Sequence, residues 1–77
     1  MNYEVKYARI DGIPMKKNDT TYTYDILVYT GIVGDTYQFY KVDKTTFEFF
    51  KTDTAEQIEG KMLVVAAAYV VEHYPNT

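Results

Sequence analysis

Residues 45–73 read TTFEFFKTDTAEQIEGKMLVVAAAYVVEH, and the period of the apolar positions changes inside this stretch. Up to Lys51, Phe47 and Phe49 alternate with polar neighbours, which is the two-residue period of a half-buried strand. Beyond it the period becomes helical. At about 100° per residue, Ala55, Ile58, Met62, Val65, Ala66, Tyr69 and His73 share one face, with Leu63 and Val70 on its flank. Thr54 and Gln57 have the spacing of a capping box, and Glu56 stands in the first turn, where the helix dipole favours a carboxylate. Pro75 cannot continue the helix. The pattern therefore predicts a helix over about Thr54 to His73, preceded by a strand.

Working upstream, the strand signal recurs. Tyr3 to Ile10 alternates apolar and polar residues, and Asp11-Gly12 and Pro14 break it. Residues 11–20 offer little to bury and read as a mobile loop or a wide hairpin connection. Thr21 to Val33 is rich in Thr, Tyr, Ile and Val, the composition of a pleated, half-buried surface. Gly34-Asp35 suits a tight turn, with Thr36 to Val42 as the return strand. Asp43-Lys44 marks the next turn, and a strand from Thr45 to Lys51 follows. The expected architecture is one small α+β domain spanning residues 1–77: a four-stranded antiparallel meander with a C-terminal helix on one face (ββββα).

Side chains alternate between the faces of a sheet, so parity sorts each strand. The expected core face carries Tyr3, Val5, Tyr7, Tyr22, Tyr24, Ile26, Val28, Tyr37, Phe39, Phe47 and Phe49. That assignment pairs Ile32 with Tyr37, Thr30 with Phe39 and Tyr29 with Tyr40. It also requires a three-residue connection at 43–45 that sets Phe39 opposite Phe49. The other face carries mostly threonine and charge. Leu27, Tyr29, Tyr40 and Phe50 are its apolar exceptions and the expected partner-binding surface. The helix keeps a second stripe, Gly60, Val64, Ala67, Ala68 and Val71, turned away from the sheet. Small residues at spacings of three and four allow close helix approach, so a homodimer through this stripe is expected.

Composition bounds the chemistry. Of 77 residues none is cysteine and one is histidine, which removes disulfides, thiol nucleophiles, Cys-based zinc sites and multi-His metal sites. A chain this short has a small core and no staple for it, which strengthens the case for association. His73, at the helix end, reads as a dipole complement. Asp53, Glu56 and Glu59 could hold a divalent cation, but such clusters at helix starts ordinarily serve the dipole. No phosphate-binding glycine loop occurs. No enzyme and no cofactor are expected.

The formal charge is -3, and its distribution is uneven. Residues 1–17 hold Lys6, Arg9, Lys16 and Lys17 against Glu4 and Asp11, whereas the rest of the chain is acidic. The start Met1-Asn2-Tyr3-Glu4 lacks the features of a signal peptide, and no apolar run reaches the length of a membrane span. A cytoplasmic protein with no membrane partner is expected. The reading that follows is a non-enzymatic module that binds a protein by direct contact. It would use the outer-face residues or the basic loop at Lys16 and Lys17. Its composition is that of small regulatory or inhibitory accessory proteins, many of them from phages and mobile elements. Two alternatives belong to another class. One is a nucleic-acid binder using the basic N-terminal patch and the sheet tyrosines, which the overall acidity disfavours. The other is an acidic mimic of nucleic acid that blocks a host enzyme through Asp25, Asp35, Asp43 and Glu48.

Overall fold

The computed structural model describes residues 2–35 and 41–75. Four strands, β1 (Tyr3–Ile10), β2 (Met15–Lys16), β3 (Thr21–Ile32) and β4 (Lys41–Phe50), form one antiparallel sheet, and helix α1 (Ala55–His73) follows. The α+β class and the ββββα order are as the sequence implies. β4 occupies one edge of β3 from Thr21 to Thr30. β1, paired with residues 26–32, and β2, paired with Thr23 and Tyr22, therefore share the other edge end to end. The 11–20 segment is thus a wide hairpin connection that itself contributes β2. Its tip is tied by Asn18 Oδ1, which accepts from the backbone N–H groups of Thr20 and Thr21 at 3.0 and 2.9 Å, the mark of an Asx turn.

Two expectations are corrected. A bulge lies in β1 between Val5 and Tyr7. The extra residue, Lys6, reverses the parity beyond it, so Ala8 enters the core and Tyr7 moves to the outer face with 54% exposure. The second correction concerns Asp43-Lys44. No turn forms there, and β4 runs straight through, pairing directly with β3 so that Val28 faces Asp43, Tyr24 faces Phe47 and Tyr22 faces Phe49. The physical reason is that Asp43 has partners on the core side. The Tyr74 hydroxyl donates to its carboxylate at 2.6 Å, and the Tyr69 hydroxyl donates to it as well. A satisfied carboxylate does not need to leave the sheet. In consequence Thr30 pairs with Lys41 and Tyr29 with Val42, not with Phe39 and Tyr40. The turn after β3 does form around Gly34, whose φ of 90° suits glycine, and Asp35 N–H donates to Ile32 O at 3.0 Å. The expected strand from Thr36, with Tyr37, Phe39 and Tyr40, lies largely outside the described residues.

The core sits between the sheet and α1. Ala8, Ile26, Val28, Phe47 and Phe49 from the strands meet Met62, Ala66 and Val70 from the helix. Aromatic rings extend it, with Tyr24 stacked on Phe49 at 4.9 Å and Tyr3 against Tyr74 at 5.4 Å. The capping box is complete: Gln57 N–H donates to Thr54 Oγ1 at 3.2 Å, and Thr54 N–H donates to Gln57 Oε1 at 2.8 Å. The outward stripe Gly60, Val64, Ala67, Ala68 and Val71 is exposed along its length.

Candidate interaction surface

Among the described residues the sheet has one face covered by α1 and one face left open, and the register decides what the open face displays. At one end Tyr29, central on β3, lies between Tyr7 of β1 and Val42 of β4. The Tyr7 and Tyr29 rings are 5.5 Å apart at a tilt of 48°, a favourable aromatic arrangement. One step along, Leu27 lies between Arg9 and Lys44. Arg9 Nε donates to the Tyr29 hydroxyl at 3.3 Å. That bond is the main reason the guanidinium holds its proton more firmly than usual. Tyr7, Arg9, Leu27, Tyr29 and Val42 thus form one contiguous apolar and aromatic cluster with a single cation.

Further along, the same face becomes polar and internally paired. Lys44 Nζ lies 3.2 Å from Asp11 and 3.9 Å from Asp25. Asp25 also accepts from Thr46 Oγ1 at 2.9 Å. Lys17 reaches across the hairpin to an ion pair with Glu48. These carboxylates and ammonium groups pair with one another on the surface.

The expected partner-binding residues therefore separate. Leu27 and Tyr29 stand together. Phe50 pairs with Thr21, six positions along β3 from Leu27, which is about 20 Å. Its ring lies under Lys61 Nζ of α1 at 4.2 Å, so it belongs to the helix end of the molecule. Tyr40 lies outside the described residues. Lys16 pairs in register with Tyr22, a core-face position, and contacts Asp19 at 3.5 Å, whereas Lys17 crosses the outer face to Glu48. The two lysines do not make one basic patch. Nor do the four proposed mimic carboxylates make one acidic face, because Asp43 is on the core side while Asp25 and Glu48 are outside. Sequence parity missed Tyr7 and Arg9, which the hidden bulge concealed. Val42 has the outer-face parity of Tyr40, but the expected register set it opposite Leu27 and not Tyr29.

Within the candidate acidic cluster at the helix start, Asp53 serves structure. Asp53 accepts from Lys61 Nζ at 2.5 Å and from Phe50 N–H at 2.8 Å. These two bonds hold its carboxyl below the usual value. No group of three potential metal ligands occurs among the described residues. A cleft of about 460 Å³ between β1 and α1 is lined mainly by apolar groups, including Ala8, Ile10, Tyr24, Ile58 and Met62, with Glu59 among its polar members. No helix among the described residues is long and apolar enough to cross a membrane. No protein-family profile, curated protein or solved structure matches this chain.

Proposed function

We propose that this protein is a non-enzymatic binding module that acts by direct contact, with the Tyr7, Arg9, Leu27, Tyr29 and Val42 cluster as the centre of its interface with a protein partner. The observation that carries this reading is the composition of the cluster on a sheet face that no described element covers. Tyrosine and arginine dominate the energetics of protein interfaces, and their efficacy depends on pre-set geometry. Here the Tyr29 ring packs against Tyr7, its hydroxyl accepts from Arg9, and Val42 is its in-register neighbour on β4. The surrounding ion pairs supply a polar rim. A regulatory or inhibitory accessory role, of the phage or mobile-element kind, suits a small protein whose chemistry is confined to a surface.

Protein rather than nucleic acid is favoured because Lys6, Lys16, Lys17 and Lys44 each stand within ion-pair distance of a carboxylate. A phosphate-tracking surface needs unneutralised cations. The test is affinity capture from a native-host lysate with the wild type, a Tyr7→Ala/Tyr29→Ala variant and a Thr52→Ala control. The expected result is a partner retained by the wild type and by the control and lost with the double variant. Equal capture by all three proteins assigns the interface elsewhere. Binding that vanishes between 50 and 200 mM salt assigns the partner to nucleic acid.

A further inference from the structure

We infer that α1 pairs antiparallel with α1 of a second copy, Gly60 meeting the partner's Val71 and Val64 meeting the partner's Ala67 about a two-fold axis. This inference is independent of the outer sheet face. It begins with a residue the single chain does not explain. Gly60 is inside the helix, where glycine is disfavoured relative to alanine. A side chain there would meet nothing within 4 Å, and no left-handed backbone conformation requires glycine. Nothing inside the chain accounts for the missing side chain. Outside, Gly60 borders an open, mainly apolar hollow of about 520 Å³ lined also by Gln57, Lys61, Val64 and Val65 of α1 and by Glu48 of β4.

The neighbours of that hollow follow a regular seam. Gly60, Val64, Ala67 and Val71 recur at alternating spacings of four and three, the pattern of a helix-pair contact. Val64 and Val71 are 70% and 72% exposed, on the side opposite the buried Met62, Ala66 and Val70. The run from Met62 to Val71 has no charged residue, so α1 is apolar on nearly all sides. A helix of that kind is ordinarily covered on nearly all sides.

Shape selects a second copy in one direction, and the charges on the flank are compatible with it. In an antiparallel pair every large residue of the seam meets a small one: Val71 fills the hollow at the partner's Gly60, and Val64 rests on the partner's Ala67. A parallel pair sets Gly60 on Gly60 and Val64 on Val64, alternating voids with crowding. On the flank, the antiparallel register brings Lys61, which is bound to Asp53 of its own chain, to within about 3 Å along the axis of the partner's Glu72, a pairing of opposite charges. Ala68, beside Lys61, lets that flank close. The area sets the strength. Half the lateral surface of a helix ~28 Å long and ~11 Å wide is roughly 500 Å² per copy. The pair covers roughly 1,000 Å², the range of specific but reversible interfaces. The seam is self-complementary, as an isologous contact requires.

The absence of native cysteine makes the test direct. Gly60→Cys and Val71→Cys proteins are mixed at high concentration and oxidised. In the inferred register each cysteine lies about 16 Å along the axis from its own copy in the partner, beyond disulfide reach. The expected product is the mixed 60–71 disulfide dimer, with neither protein crosslinking alone. Self-crosslinking of either protein, or no crosslink in the mixture, overturns the register. Sedimentation equilibrium of the wild type from about 10 μM to 1 mM should show the mass rising from 9.0 kDa toward twice that value, and a constant 9.0 kDa overturns the pairing. Gly60→Leu puts a side chain into the hollow, and its Cβ meets nothing within 4 Å inside the chain. It should leave thermal unfolding of the dilute protein intact and weaken association about tenfold or more. Unchanged association overturns the assignment of Gly60 to the seam.

Discussion

Asp53 shows how much one side chain can hold together in a chain with no staple. Its carboxylate accepts from the Lys61 ammonium and from the Phe50 backbone N–H. It thus ties the end of β4 to the second turn of α1, and Lys61 in turn lies over the Phe50 ring. The Lys61 bond is the larger cause of the depressed Asp53 pKa, and the Phe50 N–H is the next. The sign follows from linkage. A carboxyl whose pKa is lower in the folded chain than its ordinary 3.8 adds stability above that value, and the contribution is lost as pH falls through the folded pKa. The protein should therefore lose stability on acidification below about pH 5, and Asp53→Asn should flatten that slope while lowering stability at pH 7. Urea unfolding of both proteins at pH 7, 5, 4 and 3 measures it. Parallel pH profiles would assign the acid sensitivity to other carboxylates.

At the scale of elements, the sequence revealed the alternation but not its interruptions. The capping box at Thr54 and Gln57, the helix span and the strand Tyr3–Ile10 were legible because each depends on local spacing. The face of Tyr7 was not, because a bulge is set by how β1 meets β3, and Lys6 looks like any other polar strand residue. The continuity of β4 through Asp43-Lys44 was hidden for a related reason. A polar pair reads as a turn until Tyr69 and Tyr74, some thirty residues later in the chain, supply its partners. The candidate surface was legible at Leu27 and Tyr29 alone, since both lie on β3, whose parity is uninterrupted. The bulge yields a prediction that strict alternation would reverse. With Lys6 removed, Tyr3, Val5, Ala8 and Ile10 fall on one face, and Glu4, Tyr7 and Arg9 on the other, without a bulge. Deleting Lys6 should thus change stability by no more than about 1 kcal/mol and preserve the Tyr7 to Tyr29 contact, seen as nuclear Overhauser effects between the rings. Loss of the fold on deletion would show that the bulge itself is required.

The whole molecule is long and thin, 42 × 21 × 18 Å with a radius of gyration of 13.4 Å, against about 11.5 Å for a compact chain of this length. One helix on a three-strand-wide sheet makes two layers with few fully enclosed positions, and this leaves both the outer sheet face and the outer helix stripe uncovered. The same geometry concentrates stability in a handful of side chains. A small unstapled domain has about 3–5 kcal/mol of net stability to lose, and truncating one buried phenylalanine costs about 3–5 kcal/mol. Phe47 is the sharpest case, 2% exposed and in ring contact with Tyr24 and Phe49 at 6.0 Å. Phe47→Ala should therefore abolish the cooperative unfolding transition at 37 °C, read by circular dichroism against urea. Phe50→Ala removes a ring of the same size three residues away, but that ring is 54% exposed and has the Lys61 ammonium over its face. Its cost should stay near 1 kcal/mol, leaving the transition intact. Equal losses from the two variants would mean that Phe50 is buried in solution, and the second copy inferred at α1 would be the first surface to examine for what buries it.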